Sequence, residues 1–413
     1  CNRRTLGAAV AAPFAFALVC CQQQKAIRMT QAPPFKLAPV GGKFDVARIM
    51  PWVARNYGVS QTRQLAEMAR LAIPPYRMTP DEYVRYALFR PDLTMEDKRR
   101  FVSERAGVAL NIRLSPPQAR MSAIAAFKHR SRWYIGGAGL PMPEIRAIFL
   151  PEGPAGNLLH LPDAAAIADW LRSEGAVPCF GKPVDGTYSI GGAAIVGVED
   201  GGKTLRLGND STIGTEEFAA SVIANFRSGY LFQPILRMHP VLAPYCGTAA
   251  GSMRVVTLWG AGGPEVLYTG FKLPPQGGMV DGPTRGHPSA FGVVDPSSGL
   301  LVRSQYNNRM NLEAVTHAPA TGLPLEGLVL PDMAAALALA CAAHRLFPTH
   351  GIFGADVILT DTGPVLNEMN ISPTHSIYQR GADRALMNPD FAPRLQEAER
   401  LVAERLAARR RVY

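Results

Sequence analysis

GADVILTDTGPVLNEMNISP, residues 354–373, is the stretch on which the fold turns. Ile352–Thr360 has a strand pattern, and residues 365–370 read as a second strand returning alongside it. Between them, Asp361-Thr362-Gly363 has the chemistry of a three-residue turn with glycine in the left-handed position. With Thr360 set opposite Pro364, Asp356 faces Glu368, and Asn370 shares their side because side chains alternate along a strand. Two facing carboxylates repel unless a cation lies between them. Hard oxygen donors of this kind suit Mg²⁺, which retains waters and bridges to phosphates. Asp356, Glu368 and Asn370 are therefore candidate metal ligands; the plain alternative is a solvated hairpin with scattered polar groups.

Upstream, Phe180-Gly181-Lys182-Pro183 ends a strand, and the turn DGTYSIGG (residues 185–192) follows before another. Backbone N–H groups around Gly186, Ser189, Gly191 and Gly192 can cradle phosphate oxygens, with Lys182 as a fixed cation at the base. No Gly-Lys-Ser/Thr leads into a helix, so this is not a Walker A loop, and an ordinary glycine-rich hairpin is the alternative. YLFQPIL (residues 230–236) reads as extended, with Pro234 confining it to an edge or linker whose free backbone groups can pair with an adenine. Arg254 in MRVVTL and Lys272 in GFKL lie in strand patterns. A charge facing inward there needs a partner such as phosphate, whereas a surface-facing side chain does not.

The remaining sequence sets these segments in an α+β chain. Helical spacing runs through VARIMPWVARNYG, SQTRQLAEMARLA, TPDEYVRYALF and TMEDKRRFVSERAG, several opened by Ser or Thr. The Thr94-x-x-Asp97 spacing strengthens the last of these starts. From about Asn111 the period changes, and RSRWYIGG and EIRAIFLPEG read as short β runs. One helix follows at residues 163–174, then GAAIVGVED, KTLRLG, MRVVTLWG and EVLYTGFKL as strands. A helix at 331–347, the opening hairpin and an amphipathic helix at the C-terminus complete the order. No dinucleotide-binding alternation and no repeat of a solenoid or propeller is present.

The 413 residues carry a formal charge of +10 and are 47% hydrophobic and 18% charged, an ordinary globular composition. Residues 1–28 stand apart as a non-native leader or a signal-like segment, and they hold four of the positive charges, Arg3, Arg4, Lys25 and Arg28. Their apolar run is short for a membrane span and is interrupted by Pro13, so no stable span is expected. Without them the cysteines are Cys179, Cys246 and Cys341, neither a disulfide framework nor a zinc site, which favours a cytoplasmic home. Membrane association or export is the alternative if residues 1–28 are a targeting segment. A basic balance without aromatic interleaving or a known motif gives no nucleic-acid partner.

The order of these motifs, with LFQPILRMHPVL, SMRVVTLWG, GFKLPPQGGMVDGPTRG and the terminal D…E-x-N, resembles the ATP-grasp superfamily and, within it, the sugar-transfer-associated ATP-grasp family. The resemblance implies two α+β subdomains clamping ATP, behind an α-helical N-terminal region. On that plan residues 29–110 are the helical region, and 111–386 the ATP-grasp domain. A nucleotide-clamping part spans about 111–240, a metal and substrate part about 241–386, and residues 387–413 form a closing helix. It implies that Lys182 and an earlier lysine, Lys98, touch the nucleotide. The loop Gly186, Ser189, Gly191, Gly192 would close over the phosphates, and Phe232, Gln233 and Ile235 would line the adenine pocket. Arg254 and Lys272 would face the γ-phosphate, with Asp356, Glu368 and Asn370 holding one or two Mg²⁺, or alternatively Mn²⁺. Two residues depart from the family pattern: Gly282 follows Asp281 where Asn is common, and Asn367 precedes Glu368 where an aliphatic residue is usual. Strict alternation points Asn367 away from Glu368.

The reaction so implied joins a small-molecule carboxylate to an amine, or another nucleophile, through an acyl-phosphate made from ATP. A polysaccharide or cell-envelope precursor is the implied substrate context. A phosphotransferase on the same site and a non-catalytic nucleotide-binding scaffold are the alternatives.

Overall fold

Side-chain oxygens of Asp45, Ser60, Thr79, Thr94 and Ser103 each accept from the first turn of a helix, which divides the N-terminal part into short pieces. In a computed structural model these are α1 (Val46–Tyr57), α2 (Gln61–Ala72), α3 (Pro80–Arg85), α4 (Met95–Arg99) and α5 (Glu104–Leu114). The structure describes residues 45–116, 121–153, 155–186, 189–283, 287–307, 310, 312 and 314–410. The reading of residues 1–28 lies outside them. Both Thr79 and Thr94 form full capping boxes, with Glu82 and Asp97 respectively. Val53, Leu71, Tyr83, Tyr86 and Phe89 gather the first helices around one apolar cluster.

The helical part continues further than the sequence suggests, through α6 (Ser122–Ala126) and α7 (Lys128–Gly137). RSRWYIGG, expected as a strand, lies in α7. Its bulky residues Trp133, Tyr134 and Ile135 are adjacent rather than alternating, and burial falls on Ser131 and Ile135, four apart on one helical face.

Two antiparallel-rich sheets follow. The first contains β1 (Ala147–Phe149), β2 (Leu159–His160), β3 (Cys179–Pro183), β4 (Ala193–Glu199), β5 (Thr204–Leu207), β6 (Thr212–Gly214) and β7 (Tyr230–Gln233), in the order β2-β1-β7-β3-β4-β5-β6. Helices α8 (Ala164–Arg172) and α9 (Thr215–Asn225) cover one face, packing Ile167, Leu171, Phe218 and Val222 against Ile195, Leu205 and Phe232. β7 pairs with β1 on one side and β3 on the other. It is therefore an inner strand, not the edge that Pro234 suggested; the strand ends at Gln233, so the proline costs no ladder bond.

After α10 (Ala243–Cys246), the second sheet holds β8 (Ser252–Gly260), β9 (Gly263–Leu273), β10 (Ala290–Val294), β11 (Leu301–Tyr306), β12 (Ile352–Thr360) and β13 (Gly363–Asn370). Its order is β11-β10-β9-β8-β12-β13. α11 (Met333–Arg345) packs on the face bearing Met253, Val255, Ala355 and Val357. On the other face α5, α12 (Ser376–Ala382) and α13 (Ala392–Arg410) bury Val256, Leu258, Tyr268 and Ile352. No helix among the described residues is long and apolar enough to cross a membrane.

The β12–β13 hairpin departs from the expected register at its tip and regains it by a bulge. Thr360 pairs with Gly363, so the turn holds two residues, Asp361 and Thr362, and Leu359 rather than Thr360 faces Pro364. The register then shifts between Val357, opposite Leu366, and Asp356, opposite Glu368. Asn367 is the extra residue. A bulge of this kind bends the strand and re-aims a side chain.

Candidate nucleotide site

Adjacent strands carry Ser252 and Arg254 (β8), Lys272 (β9), Asp356 (β12), and Glu368 and Asn370 (β13), all on one face of the second sheet. Asp356 sits at the centre, 2% exposed. Arg254 donates to both its oxygens, with Nη2 at 2.9 Å from Oδ2, while Lys272 Nζ stands 2.8 Å from Oδ2. Burial alone would raise the Asp356 pKa, but Arg254 and Lys272 hold it well below the usual carboxylate range. The same partnership raises Arg254 against its own desolvation. Burial lowers Lys272 too, yet Asp281 and Asp356 outweigh it and lift the ammonium above its ordinary value.

Asp281, noted in the sequence only for the Gly282 that follows it, is also a member of this cluster. Its carboxylate accepts from Ser189 Oγ of the glycine-rich loop at 2.9 Å and from Ser252 Oγ, and lies 3.5 Å from Lys272 Nζ. It thus joins the loop after β3 to the second sheet. The loop glycines have packing reasons of their own. Gly191 lies at φ 80°, and a Cβ there would meet the Phe226 ring at 2.4 Å. A Cβ on Gly192 would meet Val280 at 2.7 Å, and the Gly186 carbonyl accepts from Lys128 Nζ at 2.7 Å.

Across the cleft the first sheet presents Lys182, 7% exposed, whose Nζ donates to Asn367 Oδ1 at 2.7 Å. Burial, reinforced by the neighbouring Lys128, pushes Lys182 down to about 7 against the pull of Glu368, Asp281 and Asp356. Lys128, at the start of α7, lies 3.5 Å from Glu368 Oε2. The cleft is lined by Lys128, Arg132, Lys182, Leu231, Gln233 and Asn367, with Met142, Pro143 and Ile145 beside them. Asn367 therefore turns into the cleft, contrary to strict alternation, because it is the bulged residue.

Three expected nucleotide contacts are placed elsewhere. Lys98 is fully buried among the N-terminal helices, its Nζ 2.7 Å from Glu67 Oε2, and Tyr83 Oη donates to that same oxygen at 2.6 Å. An ammonium so enclosed persists only because it is paired. Phe232 faces the helix-covered side of the first sheet, its ring 4.8 Å from Trp170, and Ile235 packs with that cluster as well. Period-two alternation from Gln233 brings Leu231, not Phe232, to the cleft. The signal was legible in YLFQ, whose one polar residue marks the cleft face. Lys128 had no comparable signal, since only the packing of α7 against β13 brings it there.

On the face that bears Arg254, the loop following Asn370 is tied to α5. Asn111 Nδ2 donates to Ser372 Oγ at 3.1 Å and to the Pro373 carbonyl at 3.0 Å, while its Oδ1 lies 2.9 Å from His375 Nε2. Burial, with Arg254 nearby, pushes His375 down to about 3. The neutral ring then donates from Nε2 and accepts from Tyr268 Oη on Nδ1, at 3.0 Å.

Asp356, Glu368 and Asn370 offer oxygens of the type that suits a hard divalent cation, with both Asp356 oxygens engaged by Arg254 and Lys272. Asp356 and Glu368 face one another, and the Asn370 amide nitrogen donates to Gly354 O and Glu368 Oε1, leaving its oxygen as an acceptor. Lys128, Lys182, Arg254 and Lys272 surround Asp281, Asp356 and Glu368, so the cluster is close to neutral. A polyphosphate added to it calls for further positive charge.

A family model described as sugar-transfer associated ATP-grasp matches residues 182–391, half of the chain. No curated protein matches. Among solved structures, the D-alanine-D-alanine ligase from Coxiella burnetii is 14% identical with a TM-score of 0.40, the match covering 72% of this chain and 62% of that one. The VanG D-Ala:D-Ser ligase from Enterococcus faecalis is 16% identical with a TM-score of 0.38, over 68% of this chain and 62% of that one. An L-amino acid ligase from Bacillus licheniformis is 15% identical with a TM-score of 0.37, over 72% and 52%. The chain thus spans less than two thirds of the length of each.

Proposed function

The chain belongs to the sugar-transfer-associated ATP-grasp family, and from that premise we propose that it is an ATP-dependent ligase activating a carboxylate for attack by an amine. The observation that carries this reading is the convergence of Lys128 and Lys182 in one cleft, within electrostatic reach of the second-sheet cluster in which Arg254 and Lys272 hold Asp356. No hydroxyl or thiol is among them, which suits direct transfer between bound substrates.

Residues of about 111–240 would clamp the nucleotide and those of about 241–386 would hold metal and acid. Gln233 and Leu231 would border the base, and Lys182 and Lys128 the phosphates. The cleft encloses about 10 Å³, far below the ~300–1,000 Å³ of small-molecule sites. ATP binding would therefore widen the cleft and exchange the Ser189–Asp281 bond for bonds to phosphate, while Lys182, with three donors, keeps one on Asn367.

Asp356, Glu368 and Asn370 would hold Mg²⁺, which when bound supplies charge stabilisation to the phosphates. An oxygen of the acid attacks the γ-phosphorus as the bond to ADP breaks. Arg254 and Lys272 offset the charge on the moving phosphoryl group in a site where water does not screen it. The amine nitrogen then attacks the acyl carbon, phosphate leaves, and the nitrogen loses a proton. Holding acid and phosphate in line requires fixed cations, and the Arg254–Asp356 pair fixes one.

The test is ADP release by the full chain with Mg–ATP and a panel of carboxylic acids, with and without added amines. Release requiring both an acid and an amine, and absent in Arg254→Ala, is expected. A stable phosphorylated product formed without an amine would replace the ligase reading with phosphotransfer.

A further inference from the structure

Asn367 stands where it can act on the proposed nucleotide site through another residue. The bulge opposite Asp356 and Val357 frees it from the alternation that sends its neighbours Leu366 and Met369 into the core on the α11 side. Its amide oxygen crosses the cleft and accepts from Lys182 Nζ at 2.7 Å. Lys182 is long, flexible and almost wholly enclosed. Left to itself a lysine points its charge at whatever oxygen or water it can reach, at a cost in rotamer freedom when it is fixed. Leu231 and Ile145 give its stem apolar neighbours but no polar end point. Lys128 repels it from the side. Asn367 supplies a neutral oxygen, which orients the ammonium without cancelling the charge that phosphate would meet.

We infer that Asn367 is a positioning residue: its bulge-presented amide oxygen fixes the Lys182 ammonium between the two sheets, ready for the nucleotide phosphates. This rests on the proposed nucleotide site, and the measurements separate the two. Calorimetric titration of the full chain with a non-hydrolysable ATP analogue and Mg²⁺, and separately with adenosine, is carried out on wild type, Asn367→Leu, Lys182→Ala and the double variant. Asn367→Leu is expected to weaken the triphosphate about tenfold, the scale of one charge-assisted hydrogen bond, and to leave adenosine unchanged. In the Lys182→Ala background the same substitution is expected to change nothing further, because its target is gone.

Equal losses for triphosphate and adenosine, or an undiminished loss in the Lys182→Ala background, would overturn the inference and make Asn367 a residue of hairpin structure alone. Failure of the nucleotide reading looks different: wild type and Lys182→Ala would then bind the analogue equally weakly.

Discussion

Replacing Asp356 with alanine removes the carboxylate on which two buried cations converge. Among the described residues the Arg254 guanidinium hydrogen-bonds only to Asp356, and Arg254 is 7% exposed, so its charge has little water to turn to. Lys272 keeps Asp281 at 3.5 Å, so the loss is dominated by the arginine. Breaking a buried pair on one side costs about 3–5 kcal/mol, because an uncompensated charge is left behind. The assay is urea denaturation, read as a shift in midpoint with the slope unchanged. Replacing both partners, Asp356→Leu with Arg254→Met, is expected to recover most of the loss while binding no Mg–ATP. The pH dependence follows from the depressed pKa of Asp356. Its contribution is fully present above the unfolded value of about 4 and is lost as pH falls through the lower folded value, so between pH 5 and 8 it is constant. A cost below about 1 kcal/mol for Asp356→Ala, or a contribution that fades between pH 5 and 8, would refute the reasoning.

Glu368→Ala is expected to abolish the tightening of ATP binding by Mg²⁺ while leaving adenosine affinity unchanged, measured by titration with and without the ion. Phe232→Ala should destabilise the protein by about 3–5 kcal/mol in denaturant unfolding, since the ring fills the core against Trp170 rather than the cleft. Lys182→Met should weaken Mg–ATP at least about tenfold yet stabilise the free protein, most at low pH. With a folded pKa of about 7 against an unfolded value of about 10.4, the unfolded chain binds more protons between those limits. Wild-type stability therefore rises with pH across that window, and the advantage of Lys182→Met, followed by denaturation at pH 6 and 10, shrinks across it.

Local chemistry made much of this legible in the sequence. The capping boxes at Thr94 and Thr79, the α8 helix capped by Asp163, and the β12–β13 hairpin each depend on residues within a few positions of one another. Asp356 opposite Glu368 also emerges, though by a compensation: a turn one residue shorter than expected is offset by a bulge one residue long. What escaped is what distance in sequence decides. Lys98 has the capping and spacing of a surface helix, and only Glu67, far back in α2, makes it a buried charge. Lys128 reaches the cleft because α7 packs on β13, and Asn367 because a bulge breaks the alternation; neither is written in its neighbours. Trp133 and Tyr134 carry β propensity, but tertiary packing overrode it.

The measurement that bears most directly on a ligase acting through an acyl-phosphate is oxygen transfer. With the acid found by ADP release and labelled with ¹⁸O in its carboxylate, the released phosphate is analysed by mass spectrometry. One ¹⁸O in each phosphate, appearing with ADP and lost in Arg254→Ala, is the predicted result. Unlabelled phosphate alongside ADP and joined product would contradict the account, because the acid oxygen would never have been bonded to phosphorus.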